Sequence, residues 1–245
     1  MYFESNQYKK ALEYYSIYLQ RNDQNKPDIN LSLVYGNMAR IYENQGEYKK
    51  ALEYLLKGLK IYELSDGKSP SGISAYYGNL GLIYDSLGEY DKALEYLEKA
   101  LKLTKSVDGE INSDVANSYN NLATVYYKKG EIERSLEYFE KALKTHKSVY
   151  GNIHPIVAAS LNNLGNVYKD QGNLKKALDF LSKALEIKKS FYGENHPDVA
   201  CSYINLGDLY MSLGEFTKAL EFNSKALELN KSFYGENHFM EKIII

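Results

Sequence analysis

One pattern recurs every 42 residues along nearly the whole 245-residue chain, and this period constrains the fold more tightly than any local propensity. Gly46, Gly88, Gly130, Gly172 and Gly214 each precede a stretch like EYKKALEYLLKGL (47–59). A second series, Gly67, Gly109, Gly151, Gly193 and Gly235, follows segments such as KSVYG (147–151) and KSFYG (189–193 and 231–235). Asn6 opens a truncated copy 40 residues before Gly46. With Gly81, Gly165 and Gly207 of the motif NLG, the pattern uses 13 of the 17 glycines, leaving Gly36, Gly58, Gly72 and Gly78 outside it. A unit repeated at a fixed interval cannot bury its apolar face alone, so the copies must stack on one another.

Between the glycines, apolar residues fall at helical spacing. Ala177, Leu178, Leu181, Ala184 and Leu185 form one stripe, with Lys175, Lys176, Lys183 and Lys188 expected outward. The segment VAASLNNLGNVYKDQ (157–171) carries Leu161, Leu164, Gly165 and Tyr168 on a second stripe, so each unit reads as a helical hairpin. The first glycine series belongs to the turn inside the hairpin. The second belongs where a helix stops with positive φ, which glycine adopts at least cost. Pro27, Pro70, Pro155 and Pro197 lie just beyond that stop, where a fixed φ and a missing N–H suit a helix start, and Asp28 and Asp198 complement its positive end.

Small residues mark close helix contacts: Ala39, Gly81, Ala123, Gly165 and Gly207 on first helices, and Ala51, Ala93, Ser135, Ala177 and Ala219 on second helices. They allow axes about 8–10 Å apart and bring Gly165 and Ala177 face to face. Tyr42, Tyr84, Tyr126, Tyr168 and Tyr210 supply bulk alongside, so the 25 tyrosines are mostly scaffold. The fold is expected to be all-α, a right-handed superhelical solenoid of helix-turn-helix repeats. Residues 1–24 are expected to form a partial repeat contributing its second helix only, with residues 2–5 the last turn of a first helix. Full repeats follow at 28–66, 70–108, 112–150, 154–192 and 196–234, and 235–245 reads as the aborted start of another. Neither end reads as a polar capping helix, which implies a piece of a longer array or ends that associate with another chain.

Composition narrows the partners. Thirty Lys+Arg against 32 Asp+Glu give a net charge of -2, which lacks the positive field that nucleic acid requires. One cysteine, Cys201, leaves no internal disulfide framework or thiolate zinc site, and reads as a small packed residue rather than a nucleophile. The first ten residues are polar and no apolar run approaches the roughly 18 residues of a membrane span, so a soluble cytoplasmic protein is expected.

The spacing LG–x2–Y–x3–G–x4–A in 164–177 resembles the tetratricopeptide repeat, a helix-turn-helix unit. The longer period, with KS[VF]YG and the linkers GNIHPIVA (151–158) and GENHPDVA (193–200), is similar to the kinesin light chain subclass, and the resemblance covers residues 2–238. Two linkers, SDGKSPSGIS (65–74) and VDGEINSDVA (107–116), depart from it in lacking His-Pro. The amino-terminal heptad coiled coil by which kinesin light chains hold the motor heavy chain has no counterpart in this sequence.

No phosphate-binding loop, dinucleotide fingerprint, HExxH or CxxC motif is present, and neither catalysis nor a cofactor or metal is expected. His154, His196 and His238 repeat one linker position and read as helix-start residues. His146 is placed alone on the outer end of a helix without a partner. One polar position keeps its identity in every full repeat: Asn37, Asn79, Asn121, Asn163 and Asn205. It falls mid-helix, where Asn is less favourable than Ala by up to about 0.7 kcal/mol. The resemblance implies an asparagine ladder whose amides bond the backbone of a peptide in the concave groove. The alternative is that each amide bonds its own array. Positions three and seven further on neighbour each rung: Arg40 and Asn44, Leu82 and Ser86, Thr124 and Lys128, Asn166 and Asp170, Asp208 and Ser212. Arg40 and Lys128 make the first half positive, and Asp170 and Asp208 make the last half negative. The expected function is a non-catalytic scaffold binding a protein or linear peptide, similar to the cargo-binding repeats of kinesin light chains. A self-assembling structural array and a regulatory domain of a larger signalling protein are the alternatives.

Overall fold

The computed structural model describes residues 2–22 and 28–235. Pro27, His238 and the expected repeat start after Gly235 lie outside the described residues. Within them the chain forms eleven helices: α1 (Tyr2–Arg21), α2 (Ile29–Asn44), α3 (Tyr48–Leu64), α4 (Pro70–Ser86), α5 (Tyr90–Asp108), α6 (Ser113–Lys129), α7 (Ile132–Tyr150), α8 (Pro155–Asp170), α9 (Leu174–Tyr192), α10 (Pro197–Ser212) and α11 (Phe216–Tyr234). Contacts join α1 through α5 in sequence order and α7 through α11 in sequence order, the arrangement of helix-turn-helix repeats in an α-solenoid. The helices group into two compact units whose boundary runs through α6: Met1–Glu110 with Thr124–Glu131, and Ile111–Ala123 with Ile132–Ile245.

The glycine punctuation acts as the sequence implies. All ten glycines of the two series, and no other described residues, have positive φ, between 73° and 84°. Gly193 pairs a φ of 82° with a ψ of 174°, a region essentially closed to any residue with a Cβ. Where glycine is missing the break is missing too. At Asn6, where the truncated copy was expected to turn, α1 continues unbroken from Tyr2 to Arg21, so residues 2–5 belong to the same helix.

Helix starts follow the prolines. Pro70, Pro155 and Pro197 open α4, α8 and α10 behind the caps Ser69, His154 and His196. His154 Nδ1 accepts from the Ile156 N–H at 3.2 Å and His196 Nδ1 from the Asp198 N–H at 3.1 Å, so histidine takes the role usually held by Ser or Asp. Each imidazole also stacks on the tyrosine that ends the preceding helix, with centroids 4.5 Å apart for Tyr150–His154 and 4.0 Å for Tyr192–His196.

The small-residue slots are close contacts, with a different partner from the one expected. A Cβ on Gly165 would lie 2.7 Å from Leu181 Cγ and 3.5 Å from the Ala177 carbonyl oxygen. The Leu181 side chain fills the slot, and Ala177 lets the backbones approach. Inside four hairpins the first-helix tyrosine stacks on an aromatic ring of the second helix: Tyr42–Tyr54, Tyr84–Tyr96, Tyr168–Phe180 and Tyr210–Phe222, with centroids 5.3–5.5 Å apart. Lysines such as Lys50, Lys92, Lys176 and Lys218 lie over the tyrosine rings.

Three of the four glycines outside the repeat share a role. Built on Gly58 or Gly72, a Cβ would meet Tyr76 Oη at 2.7 Å or the Tyr62 hydroxyl, and Gly36 approaches Tyr76 Oη at 3.2 Å. Together they accommodate two buried tyrosines. Tyr76 Oη donates to the Ser32 carbonyl at 2.7 Å, and Ser32 Oγ donates to the Gly58 carbonyl at 2.8 Å.

Three side chains depart from the sequence reading. Lys188 faces inward at 8% exposure, donating from Nζ to the Asp198 carbonyl at 3.2 Å, because α10 covers the end of α9. Cys201 is exposed rather than packed. His146 is 1% exposed and has a partner, Ser160 on α8, at 2.8 Å from Nδ1. Ser160 Oγ donates to the Ile156 carbonyl at 3.1 Å, so His146 Nδ1 must be the donor to Ser160. Its Nε2 is left buried without a partner.

Candidate functional site

The repeated asparagines occupy the middle of the first helices α2, α4, α6, α8 and α10, one per repeat. Asn37, Asn121, Asn163 and Asn205 are half-buried and Asn79 is exposed. Among the described residues none of the five side-chain amides makes a hydrogen bond. Serines and threonines on the same and neighbouring helices bond backbone carbonyls, as Ser86 Oγ does to the Leu82 carbonyl at 3.0 Å. The rungs leave their donors and acceptors open.

Asn37 and Asn79, in the first unit, line one cavity of about 300 Å³ between α2 and α4. Leu33, Leu55, Ala75 and Tyr76 contribute apolar wall, and Arg40 and Glu43 are its charged residues. Burial holds the Glu43 carboxyl above the usual carboxylate range. Asn121, Asn163 and Asn205 belong to the second unit.

The flanking charges are not equivalent. Arg40 is exposed, with no ion pair among the described residues. Lys128 is bound by Asp85, 2.7 Å from Nζ to Oδ2, and the second carboxylate oxygen of Asp85 is buried without a partner. Its charge is therefore offset from within the first unit, and the basic character expected of the amino-terminal half rests on Arg40. Asn166 is half-buried, and Asp170 and Asp208 are exposed. The sequence reading passed over Glu43, Asp85 and the His146–Ser160 pair. For the first two the available signal was the 42-residue step itself, since 43 and 85 are one carboxylate position in consecutive repeats.

Among the described residues no group of three or more His, Cys, Asp or Glu side chains converges to hold a metal ion. No helix of the described residues is long and apolar enough to cross a membrane.

The sequence matches the Tetratricopeptide repeat family over residues 30–106, 114–190 and 157–232, and the chain belongs to that family. The fold is similar to that of BtubC (BKLC) from P. vanneervenii, at 28% identity and a TM-score of 0.73, covering 84% of this chain and 82% of the other. It is also similar to a Podosopora anserina putative kinesin light chain with nearly identical TPR-like repeats, at 21% identity and a TM-score of 0.69, covering 81% and 94% of the two chains. The apo form of RapI shares the fold at 17% identity and a TM-score of 0.65, over 94% of this chain and 93% of that one. No curated protein matches the sequence. Repeats of this family generally serve as non-catalytic scaffolds that bind protein partners, and this chain has the architecture of such a scaffold.

Proposed function

We propose that the chain binds an extended peptide segment along the face formed by its first helices, similar to the cargo-binding repeats of kinesin light chains. The observation that supports this reading is that none of the five rung amides bonds another group of the protein among the described residues. A mid-helix asparagine that serves its own fold bonds a neighbouring helix or loop, and none of these does. Each amide can donate to and accept from a peptide backbone. Within the second unit, first helices about 10 Å apart place Asn121, Asn163 and Asn205 over about 20 Å, the span of roughly six residues of extended chain. In the first unit Arg40 suits an acidic residue of the ligand, and in the second unit Asp170 and Asp208 suit basic ones. Asn166 adds a further amide beside its rung.

The test is the double variant Asn121→Ala with Asn163→Ala, assayed against 12-residue peptides selected from a random display library. A net hydrogen bond contributes about 0.5–1.5 kcal/mol, so two rungs making two bonds each account for about 2–6 kcal/mol. The expected loss is roughly 30- to 20,000-fold in affinity, with a melting temperature unchanged or slightly raised by the better helix propensity of Ala. A destabilised variant with unchanged affinity would overturn the reading.

A further inference from the structure

The cavity between α2 and α4 holds a carboxylate that has lost its internal cation. Positions 43 and 85 are the same place in consecutive repeats, and so are positions 86 and 128. In the later pair Asp85 is neutralised by Lys128 at 2.7 Å. In the earlier pair the carboxylate is Glu43 and the residue in the lysine's place is Ser86, whose hydroxyl is committed to the Leu82 carbonyl at 3.0 Å. Glu43 therefore lines the cavity with no hydrogen bond or ion pair from its side chain among the described residues, and burial disfavours its charge. The same cavity carries the rungs Asn37 and Asn79 and an apolar wall of Leu33, Ala39 and Ala75.

We infer that the ligand supplies the missing cation: Glu43 is the subsite for a Lys or Arg side chain of the bound peptide. This rests on the peptide-binding reading and adds the chemistry of one residue of the ligand. The aliphatic stem of a basic residue suits the apolar wall, and its head replaces the Lys128-type partner that this junction lacks. A cavity of about 300 Å³ lies at the small end of the range for ligand sites and accommodates one long side chain with its solvent. Arg40, the other charged lining residue, is exposed on the preceding turn and is free to extend into water or meet an acid elsewhere in the ligand.

The experiment pans a display library of random 12-residue peptides against the full chain and measures the selected peptides by fluorescence anisotropy. The proteins compared are wild type, Glu43→Gln, which keeps the side-chain shape, and Ser86→Lys, which provides the cation from within the fold. Ser86 is exposed and neither change disturbs the core, as circular dichroism melts will verify. Selected peptides should share a Lys or Arg at one position. Replacing it with Met should weaken binding to wild type by at least about tenfold and to either variant by less than about threefold. Selected peptides without a shared basic residue, or an equal loss on all three proteins, overturn the inference. If such peptides still lose affinity with Asn37→Ala and Asn79→Ala, the peptide-binding reading stands and the Glu43 assignment alone falls. If no peptide is enriched, or binding ignores the rungs, both fall.

Discussion

Replacing glycine by alanine at two equivalent helix positions should change stability in opposite directions. Gly165 and Gly207 both sit on the packing stripe of a first helix, in α8 and α10. In each, alanine gains about 0.8–1.0 kcal/mol of helix propensity. At Gly165 the new Cβ would lie 2.7 Å from Leu181 Cγ and 2.8 Å from Leu181 Cδ2, and Leu181 is 1% exposed with no room to retreat. Overpacking of this kind costs about 1–3 kcal/mol, which outweighs or cancels the propensity gain. At Gly207 the nearest atom is Asn223 Oδ1, the far end of an exposed side chain that can rotate away. Gly207→Ala should therefore stabilise by up to about 1 kcal/mol, while Gly165→Ala destabilises by about 0–2 kcal/mol. The gap of about 1–3 kcal/mol corresponds to roughly 2–12 °C between the two melting temperatures in a chain of this size. Gly81→Ala, which approaches Leu97 at 2.6 Å, should behave like Gly165→Ala. Melting curves by circular dichroism read the order directly. Leu181→Ala, costly by about 2–5 kcal/mol in wild type, should cost about 1–3 kcal/mol less in the Gly165→Ala background. Equal shifts for all three glycines, or additive effects at Gly165 and Leu181, would refute the packing argument.

Acidification should weaken the second unit through His146. Burial, and then the neighbouring His154 charge, hold its folded-state pKa below the ordinary 6.5. The unfolded chain then takes up the proton first, so stability is complete above pH 6.5 and falls as pH drops from there through the depressed folded value. Denaturation midpoints at about pH 7.5 and pH 5 should differ less in His146→Gln, which can still donate to Ser160, and an unchanged difference would reject the assignment. Lys128→Ala should destabilise by about 1–2 kcal/mol by stranding Asp85, and adding Asp85→Asn should recover most of the loss. A denaturation series in which the second substitution makes matters worse would show that the pair does not act as a unit.

The features legible in the sequence are those that repeat. Glycine positions gave the turns, proline positions the helix starts, and the small residues the close contacts, because each follows from backbone sterics that any copy must obey. What escaped sequence reasoning lies between copies. Lys188 reads as an outward lysine on its own helix, and only α10 lying across the end of α9 turns it into a buried donor to the Asp198 carbonyl. His146 is buried in the same way by α8. Asn6 misled in the opposite sense, since polar character at a turn position did not substitute for the positive φ that glycine supplies. The rung asparagines were found by their recurrence, but that recurrence is silent about whether their amides are used internally. Lys128 was read as an open charge because its partner, 43 residues away, is close only once the repeats stack.

One buried polar position of the second helices shows how copies of a repeat acquire distinct surroundings. Residues 62, 104, 146 and 188 are one position at 42-residue steps, occupied by Tyr, Thr, His and Lys. Each is at most 8% exposed, and each finds a different partner: Tyr62 with Ser69, Thr104 with Ser74, His146 with Ser160 and Lys188 with the Asp198 carbonyl. A nearby position on the first helix changes along the chain as well, from Ser32 and Ser74 to the fully buried Ala116, Ala158 and Ala200. Ser32 and Ser74 donate to the carbonyls of Gly58 and Ala100. A buried polar group left without its partner costs about 1–3 kcal/mol, so moving one repeat's residue into another junction would strand it. Tyr62, His146 and Lys188 bond into the linker or helix that follows, whereas Thr104 bonds within its own hairpin, so neither the junctions nor this part of the hairpin interior is interchangeable between copies. This gives the order of the repeats a physical basis, and with it the order of the rungs and charges that a bound peptide would meet. Exchanging Thr104 and His146 tests this: each protein keeps the same composition, and stability should fall because neither side chain finds its donor or acceptor in the new place. Unchanged melting of the exchanged chain would mean that the junctions tolerate any small or polar residue and that repeat order rests on the exposed face alone.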